Sequence, residues 1–407
     1  MAGATIDHLV SVTVFLSAIL LFIALFNQTI QTAILYQRHK QLANKCTDLL
    51  DNILLNPGYP LEWGKTNKTP TSFGLQDPEF TQYRLSPFSL MRLCSLTGTP
   101  VYYPKTGNTY SNITIGFGNF LLMPHTSVIN YSTAATLLGI NNTYGFKLTV
   151  EPLISVSVTE TQAEDPLKIL VTVSGAGFPL VSANISYCFL KIDLSSGGAY
   201  PSYGVSYGTA VTGNEGKALL NFPEITSPDT SYAIIVYAQL GGLTGVGFRQ
   251  RVSSTQQYAL PFVENIEEGK VIIAHSYDVH YFGPPVAEIS YNATFVILTE
   301  DFTLREMPLG EGKIGKVNYG EGQPYKTVTI PTHNPGILII TYRKSAVEGG
   351  VILVPWGIST LAFPIVFGDE PKGAEWVTTD IRQVVVNGIA YQAKLALWSM
   401  EGYQVVK

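Results

Sequence analysis

A chain of 407 residues that is 46% hydrophobic and 11% aromatic has ample material for packed cores, which excludes a disordered polypeptide. Only 14% of residues are charged, the net charge is −5 and no Lys/Arg cluster occurs, so nucleic acid is excluded as a partner class. Its 3 cysteines, Cys46, Cys94 and Cys188, show no C-x-x-C spacing, which excludes a disulfide scaffold and a thiolate metal or redox pair of that type.

The first predicted element is a helix over Ile6 to Leu55. Its opening part, Leu9 to Phe26, carries no charge, Gly or Pro, and at about 18 residues it can cross a hydrocarbon layer. Leu9, Phe15, Leu20, Phe22 and Phe26 are the expected lipid-facing residues, making membrane lipid the first partner. No helix breaker follows until Asn56-Pro57-Gly58. Past the span, Ile30, Ile34, Leu42, Cys46, Leu49, Leu50, Ile53 and Leu54 recur at helical spacing, with Arg38, Lys40, Lys45, Asp48 and Asp51 largely between them. At ~1.5 Å per residue the rod is on the order of 75 Å, half of it an amphipathic stalk outside the bilayer.

The start of the chain has no Lys or Arg, so a retained anchor is expected; a leader cleaved near Ala33 is the alternative. Two signals for orientation oppose each other. Arg38, Lys40 and Lys45 follow the span and favour a cytoplasmic body. The sequons at Asn27, Asn67, Asn112, Asn130, Asn141, Asn184 and Asn292 favour an external, glycosylated one. The expectation is a single-pass cell-membrane protein with one anchor and the bulk of the chain extracellular.

The expected fold class is mostly β: a long N-terminal transmembrane and stalk helix (1–56), a small α+β membrane-proximal domain (57–152), then two β-sandwich-like domains (153–254 and 255–407). In the α+β segment, Ser86 and Pro87 open one short helix ending at Cys94, and Ser132 caps a second that Gly139 closes. Asn112–Ile115 and Tyr144–Val150 alternate as strands. Strand patterns follow at Ile154–Val158, Leu167–Val173, Ala183–Phe189, Lys217–Phe222 and Tyr232–Ala238, separated by turns. Beyond the polar link Ser253–Tyr258, further strand runs lead to a hairpin at Val384–Tyr391 turning on Asn387-Gly388.

The order Gly177–Tyr187, Thr212–Phe222 and Tyr232–Ala238 resembles Ig-like surface modules related to the carboxypeptidase regulatory-like domain, over roughly a quarter of the chain. The resemblance implies a spacer or binding platform with no catalytic residues to transfer.

The chemistry-bearing patterns are few. Gly310, Gly312 and Gly315 fit G-x-G-x-x-G but lack the following helix, and read as a glycine-rich hairpin loop. His275-Ser-Tyr-Asp278-Val-His280 is the tightest His/carboxylate group; Asp278 and His280 are the metal candidates, yet on a strand His275 would point the other way. His8, His39, His125 and His333 are scattered. The expectation is no catalysis and no cofactor. For the cysteines, a Cys46–Cys94 bridge and buried free thiols are both open.

The helix and β-rich head also resemble type IV pilin-like proteins, in which N-terminal helices pack as a filament core. Asp7 is similar in kind to the acidic residue those proteins carry early in the helix, although the basic-Gly processing site is missing. The resemblance implies self-association through Asp7, Ile34, Leu42 and Leu49. With the sequons it implies an archaeal surface protein presenting β domains for structural or adhesive contact with other surface proteins or glycans. A filament subunit is the alternative, and a surface enzyme acting on glycan or peptide a second one.

Overall fold

The computed structural model describes residues 2–80, 82–93, 100–114, 120–194, 200–253, 257–276, 288–315, 325–357, 361–374 and 376–400. Helix α1 spans Ala2–Leu55 without a break. Its end is tied off by the chain that follows. The Gly58 amide donates to the Asn56 side chain at 2.9 Å, with Gly58 at φ 77° where a side chain would be strained. The Leu75 amide then donates to the Ile53 carbonyl (2.8 Å) and the Gln76 amide to the Asn56 carbonyl (3.1 Å), satisfying acceptors that a helix end leaves open. Helix α2 (Pro87–Leu93) starts as the sequence implies, the Ser89 amide donating to the Ser86 hydroxyl at 3.2 Å. Helix α3 (Tyr131–Leu137) is capped by Asn130 and not by Ser132: the Asn130 Oδ1 accepts from the Thr133 amide at 2.8 Å, and the Ser132 hydroxyl donates to the same oxygen. Asn130 precedes the first helical residue by one and so has the reach to the third amide.

The strands are, in chain order, β1 (Val101–Tyr103), β2 (Asn108–Thr114), β3 (Phe120–Pro124), β4 (Tyr144–Pro152), β5 (Ile154–Gln162), β6 (Leu167–Gly175), β7 (Phe178–Pro179), β8 (Asn184–Asp193), β9 (Ser202–Val211), β10 (Lys217–Phe222), β11 (Tyr232–Leu240) and β12 (Leu243–Arg251). Then come β13 (Ala259–Asn265), β14 (Lys270–His275), β15 (Ile289–Leu298), β16 (Leu304–Ile314), β17 (Tyr325–Thr329), β18 (Gly336–Arg343), β19 (Gly349–Trp356), β20 (Ile365–Gly368), β21 (Val377–Val386) and β22 (Ile389–Ser399). A long apolar helix followed by a β-rich body of several sheets is thus the fold class, as the composition predicts.

The sheets cut across the expected domain boundaries. Strands β5 to β12 form two four-stranded sheets, β10-β6-β5 with β7 on β6, and β12-β11-β8-β9. Their facing side chains make a core drawn only from Ile154 to Leu240, so this segment is a self-contained sandwich. The segments on either side are interleaved. Strands β1 to β3 do not stay with the stalk; β3 runs parallel to β13, giving a six-stranded sheet β1-β2-β3-β13-β14-β17. That sheet packs on β16-β15-β18-β19 around Phe295, Leu338, Ile340 and Trp356. Conversely β4 pairs on both edges with strands from the far end of the chain, in the order β20-β4-β22-β21, with Leu148 opposite both Phe367 and Leu395. A turn-based reading of local pattern has no access to pairings more than two hundred residues apart.

Helix α1 lies on this last sheet. One apolar cluster runs from Leu42, Cys46, Leu50 and Ile53 of the helix through Phe146, Leu148 and Leu395 to Ile235 of the sandwich and Ile339 and Leu353 of the neighbouring sheet. The β21–β22 turn is the expected Asn-Gly type, with Asn387 at φ 48° and Gly388 at φ 78°. Gly310 and Gly312 lie within strand β16, not in a hairpin loop. A one-residue bulge at Leu309, opposite Ala293 and Thr294, lets β16 pass alongside β15, and Gly310 takes φ 128° there.

Candidate functional site

The feature with a functional geometry is α1, whose two halves have opposite environments. From Ile6 to Tyr36 the apolar side chains are exposed on all sides, Phe22 at 68% and Ile34 at 47%. Leu9, Phe15, Leu20 and Phe26 share that exposure, so the residues expected to face lipid are all presented outward. Thr13, Ser17, Thr29 and Thr32 return their hydroxyls to the carbonyl one turn back at 2.8 Å, so these four donors are satisfied within the helix. From Leu42 onward the pattern inverts, and Cys46, Leu50, Ile53 and Leu54 are fully buried.

The seat for the second half combines apolar contact with a polar seam. Asp51 receives Arg382 through two nitrogens, Nε at 3.0 Å and Nη2 at 3.3 Å, and Tyr83 donates to the same carboxylate at 3.2 Å. Arg382 also reaches Asp380 Oδ1 at 2.8 Å, while the Thr47 hydroxyl on the helix donates to Asp380 Oδ2 at 2.7 Å. Two residues of the helix are thereby linked to alternate residues on one face of β21. The hydrogen bond to Asp51 leads in holding the Arg382 guanidinium well above its ordinary range. Burial alone would raise Asp380, but the bonds from Thr47, the Ile381 amide and Arg382 outweigh it and hold that carboxyl low. Where the helix leaves the body, His39 sits edge-on to Trp376 at 4.0 Å.

Cys46 is a buried free thiol between α1 and the sheet, 3.6 Å from the Leu395 carbonyl, so the bridge to Cys94 is not formed; Cys94 itself lies outside the described residues. Burial foremost, with Asp380 nearby, pushes this thiol up to about 11. Cys188 is likewise buried and free, pushed up to about 12 by burial and then Asp301.

The other expected site residues separate. Leu42 and Leu49 are consumed by the chain's own body and cannot form a helix–helix surface as drawn, whereas Ile34 and Asp7 remain exposed. Among the sequon asparagines, Asn130, Asn141 and Asn184 are exposed, and so is Asn27 on the helix. Asn67 is not a free acceptor: its Nδ2 donates to Asn265 at 2.9 Å, and its Oδ1 accepts from Ser127 and the Ile266 amide. It ties the α2 region to the β13–β14 turn, a role no sequon pattern discloses. Beside it, fully buried Arg92 donates to the Ser127 and Trp63 carbonyls, and burial pulls its guanidinium down to about 10. Asn292 is half-buried within β15, and Asn112 lies on β2. Asp278 and His280 lie outside the described residues; His275, at the end of β14, is buried. Among the described residues no group of His, Cys, Asp and Glu is placed to hold a metal ion.

No family model matches this chain, and no curated protein matches it. Among solved structures it is similar to a Salmonella alpha-2-macroglobulin reacted with methylamine, at 9% identity and TM-score 0.22 over 57% of this chain and 18% of that one. It is also similar to red sea bream transglutaminase, at 9% identity and TM-score 0.18 over 61% of this chain and 37% of the other. The chain therefore spans about a fifth of the macroglobulin's length and little more than a third of the transglutaminase's.

Proposed function

We propose that this chain is a single-pass, N-terminally anchored surface protein that holds a β-rich body outside the membrane for structural or adhesive contact, without catalysis. The division of α1 supports this most directly. A helix whose first part is apolar all round and exposed, and whose second part is fixed in the body, is built to couple that body rigidly to a bilayer. The exposed acceptors Asn130, Asn141 and Asn184 favour an external body that carries glycans. Protease shaving of intact cells, with mass spectrometry of what is released, tests both halves of the reading. Glycopeptides carrying Asn141 and Asn184 are expected before lysis, with the α1 peptide retained in the membrane. A body protected until lysis would mean that Arg38, Lys40 and Lys45 set the orientation instead.

A pilin-like filament subunit is the second reading, favoured by one observation. Ile30, Ile34, Leu35 and Tyr36 stay exposed although they lie past the first 18 apolar residues. Packing against copies of the same helix would cover them. Intact filaments sheared from cells and containing this chain would favour that reading over the isolated anchor.

A further inference from the structure

The sandwich, the β15–β18 sheet and the β21–β22 hairpin converge on a cleft of about 470 Å³, within the range of small-molecule sites and at a junction of packed bodies, where such sites concentrate. Its walls are Val296, Leu298, Phe302, Leu304 and Ile337. The floor includes Tyr237 from β11, whose ring stacks on Phe302 at 4.7 Å. Tyr237 is 1% exposed, yet its hydroxyl has no hydrogen-bond partner among the described residues. A buried donor of that kind is costly to leave unmade and marks the cleft as more than a packing fault.

The mouth adds a charge. Arg84 lines the cleft with its guanidinium 3.5 Å from the Phe80 ring centre, and it forms no ion pair among the described residues. Glu300 stands on the rim too, and Glu62, Asp77 and Glu79 line an adjoining recess, but none of these carboxylates pairs with Arg84. A planar guanidinium already stacked on an aromatic face is oriented to receive a carboxylate in fork fashion.

We propose that this cleft binds a small amphipathic organic acid. Its apolar chain or ring lies along Val296, Leu298, Phe302 and Ile337, its carboxylate meets Arg84, and a second oxygen accepts from the Tyr237 hydroxyl. The three recognition elements come from three different packed bodies, so occupancy would also brace their junction.

The test uses the full chain in nanodiscs, with empty nanodiscs as the blank for partition into lipid, and calorimetry with octanoate, 8-hydroxyoctanoate and 1-octanol. Saturable octanoate binding is expected. Arg84→Gln should weaken it about tenfold while leaving octanol within about twofold, since only the acid uses the charge-assisted bonds. Tyr237→Phe should erase any preference for the hydroxy acid over octanoate. Ile337→Trp, which fills the cleft, should abolish binding of all three; because Ile337 is also a core residue, the rim variant Arg84→Gln carries the test by itself. Absence of saturable binding, or an Arg84→Gln effect equal for the acid and the alcohol, overturns the proposal.

Discussion

If α1 is seated through its second half and free through its first, Leu50→Ala and Ile34→Ala should differ sharply. Leu50 is fully buried between the helix and the sheet; removing its outer carbons from a site that cannot collapse fully costs about 3 kcal/mol. Ile34 is 47% exposed, and its truncation should stay within about 0.5 kcal/mol. Cys46 provides the assay, because its thiol is covered by the same seat and becomes accessible only when the helix lifts. In full-length protein in nanodiscs at pH 8, alkylation of Cys46, followed by mass spectrometry, reports the fraction of time the seat is open. A 3 kcal/mol loss corresponds to roughly 150-fold faster labelling in Leu50→Ala, against about twofold for Ile34→Ala. Cys188, buried on β8 of the sandwich against the Phe302 carbonyl at 3.0 Å, should keep its slow rate in both variants and serves as the internal control. Equal acceleration by the two substitutions would refute the division of α1 into a free and a seated half. So would rapid labelling of Cys46 in the unaltered protein.

The polar seam should contribute less than the apolar one. Asp51 and Arg382 are partly exposed, so a double-mutant cycle of Asp51→Asn and Arg382→Gln, read by Cys46 labelling, is expected to give a coupling of about 1 kcal/mol; a value near zero would make the pair ornamental. Asp380 is held below its ordinary 3.8, so its contribution to seating is present above that pH and is lost as the pH falls through the lower folded value. An acid titration of tryptophan fluorescence, reporting on Trp376 against His39 of the helix, should lose that phase in Asp380→Asn, and an unchanged titration would contradict the assignment. In the sandwich, a Cβ on Gly247 would stand 2.3 Å from the Val156 carbonyl oxygen, a backbone atom that cannot step aside. Gly247→Ala should therefore cost about 1–3 kcal/mol of stability in denaturant unfolding, while Gly204→Ala, with open space around it, should cost under about 1 kcal/mol.

The helix, its stop at Asn56-Pro57-Gly58 and the Asn387-Gly388 hairpin were legible because each is governed by residues within a few positions of one another. Among the strands that were not, three show a physical reason. In β12 the glycines at 245 and 247 erase the apolar alternation, and they are present because β5 passes so close that Ile154 and Val156 occupy the space of a side chain. In β9, Gly208 makes room for the Tyr187 ring in the same way. In β16, Pro308, Gly310 and Gly312 read as a loop, since the one-residue bulge at Leu309 that accommodates them shows only in the register against β15. The sandwich was legible as a unit because it is contiguous, whereas the split of 57–152 between two sheets depends on partners more than a hundred residues away. The same distance hid the seat itself: the spacing of Leu42, Cys46 and Leu49 announces an apolar stripe, but nothing in the stripe says whether a second helix or a sheet covers it. The polar partners Thr47 and Asp51 fall beside the stripe, and the Asp380 and Arg382 they meet alternate on β21, a pairing visible only once both elements are in place.

The interleaving bears on how an anchor can carry a load. The strand that takes the chain into the sandwich, β4, is flanked by β20 and β22, both of which the chain makes only after leaving the sandwich and the β15–β18 sheet. The connections into and out of the outer bodies are therefore clamped side by side in one sheet, with Tyr144 to Pro152 bonded along their length to Tyr391 to Ser399. Helix α1 lies on that same sheet and is tied to its edge strand through Asp51 and Thr47. A pull on the sandwich through β4 loads the β4–β22 ladder as shear, several hydrogen bonds together, on the way to the helix seat. On the proposed reading of α1 as an anchor, that arrangement places a run of parallel backbone bonds between the sandwich and the helix seat. It also makes the seat the element that fixes the body's orientation on the helix, since the chain after Leu55 would still tether the two, and the labelling of Cys46 is the most direct measure of that coupling.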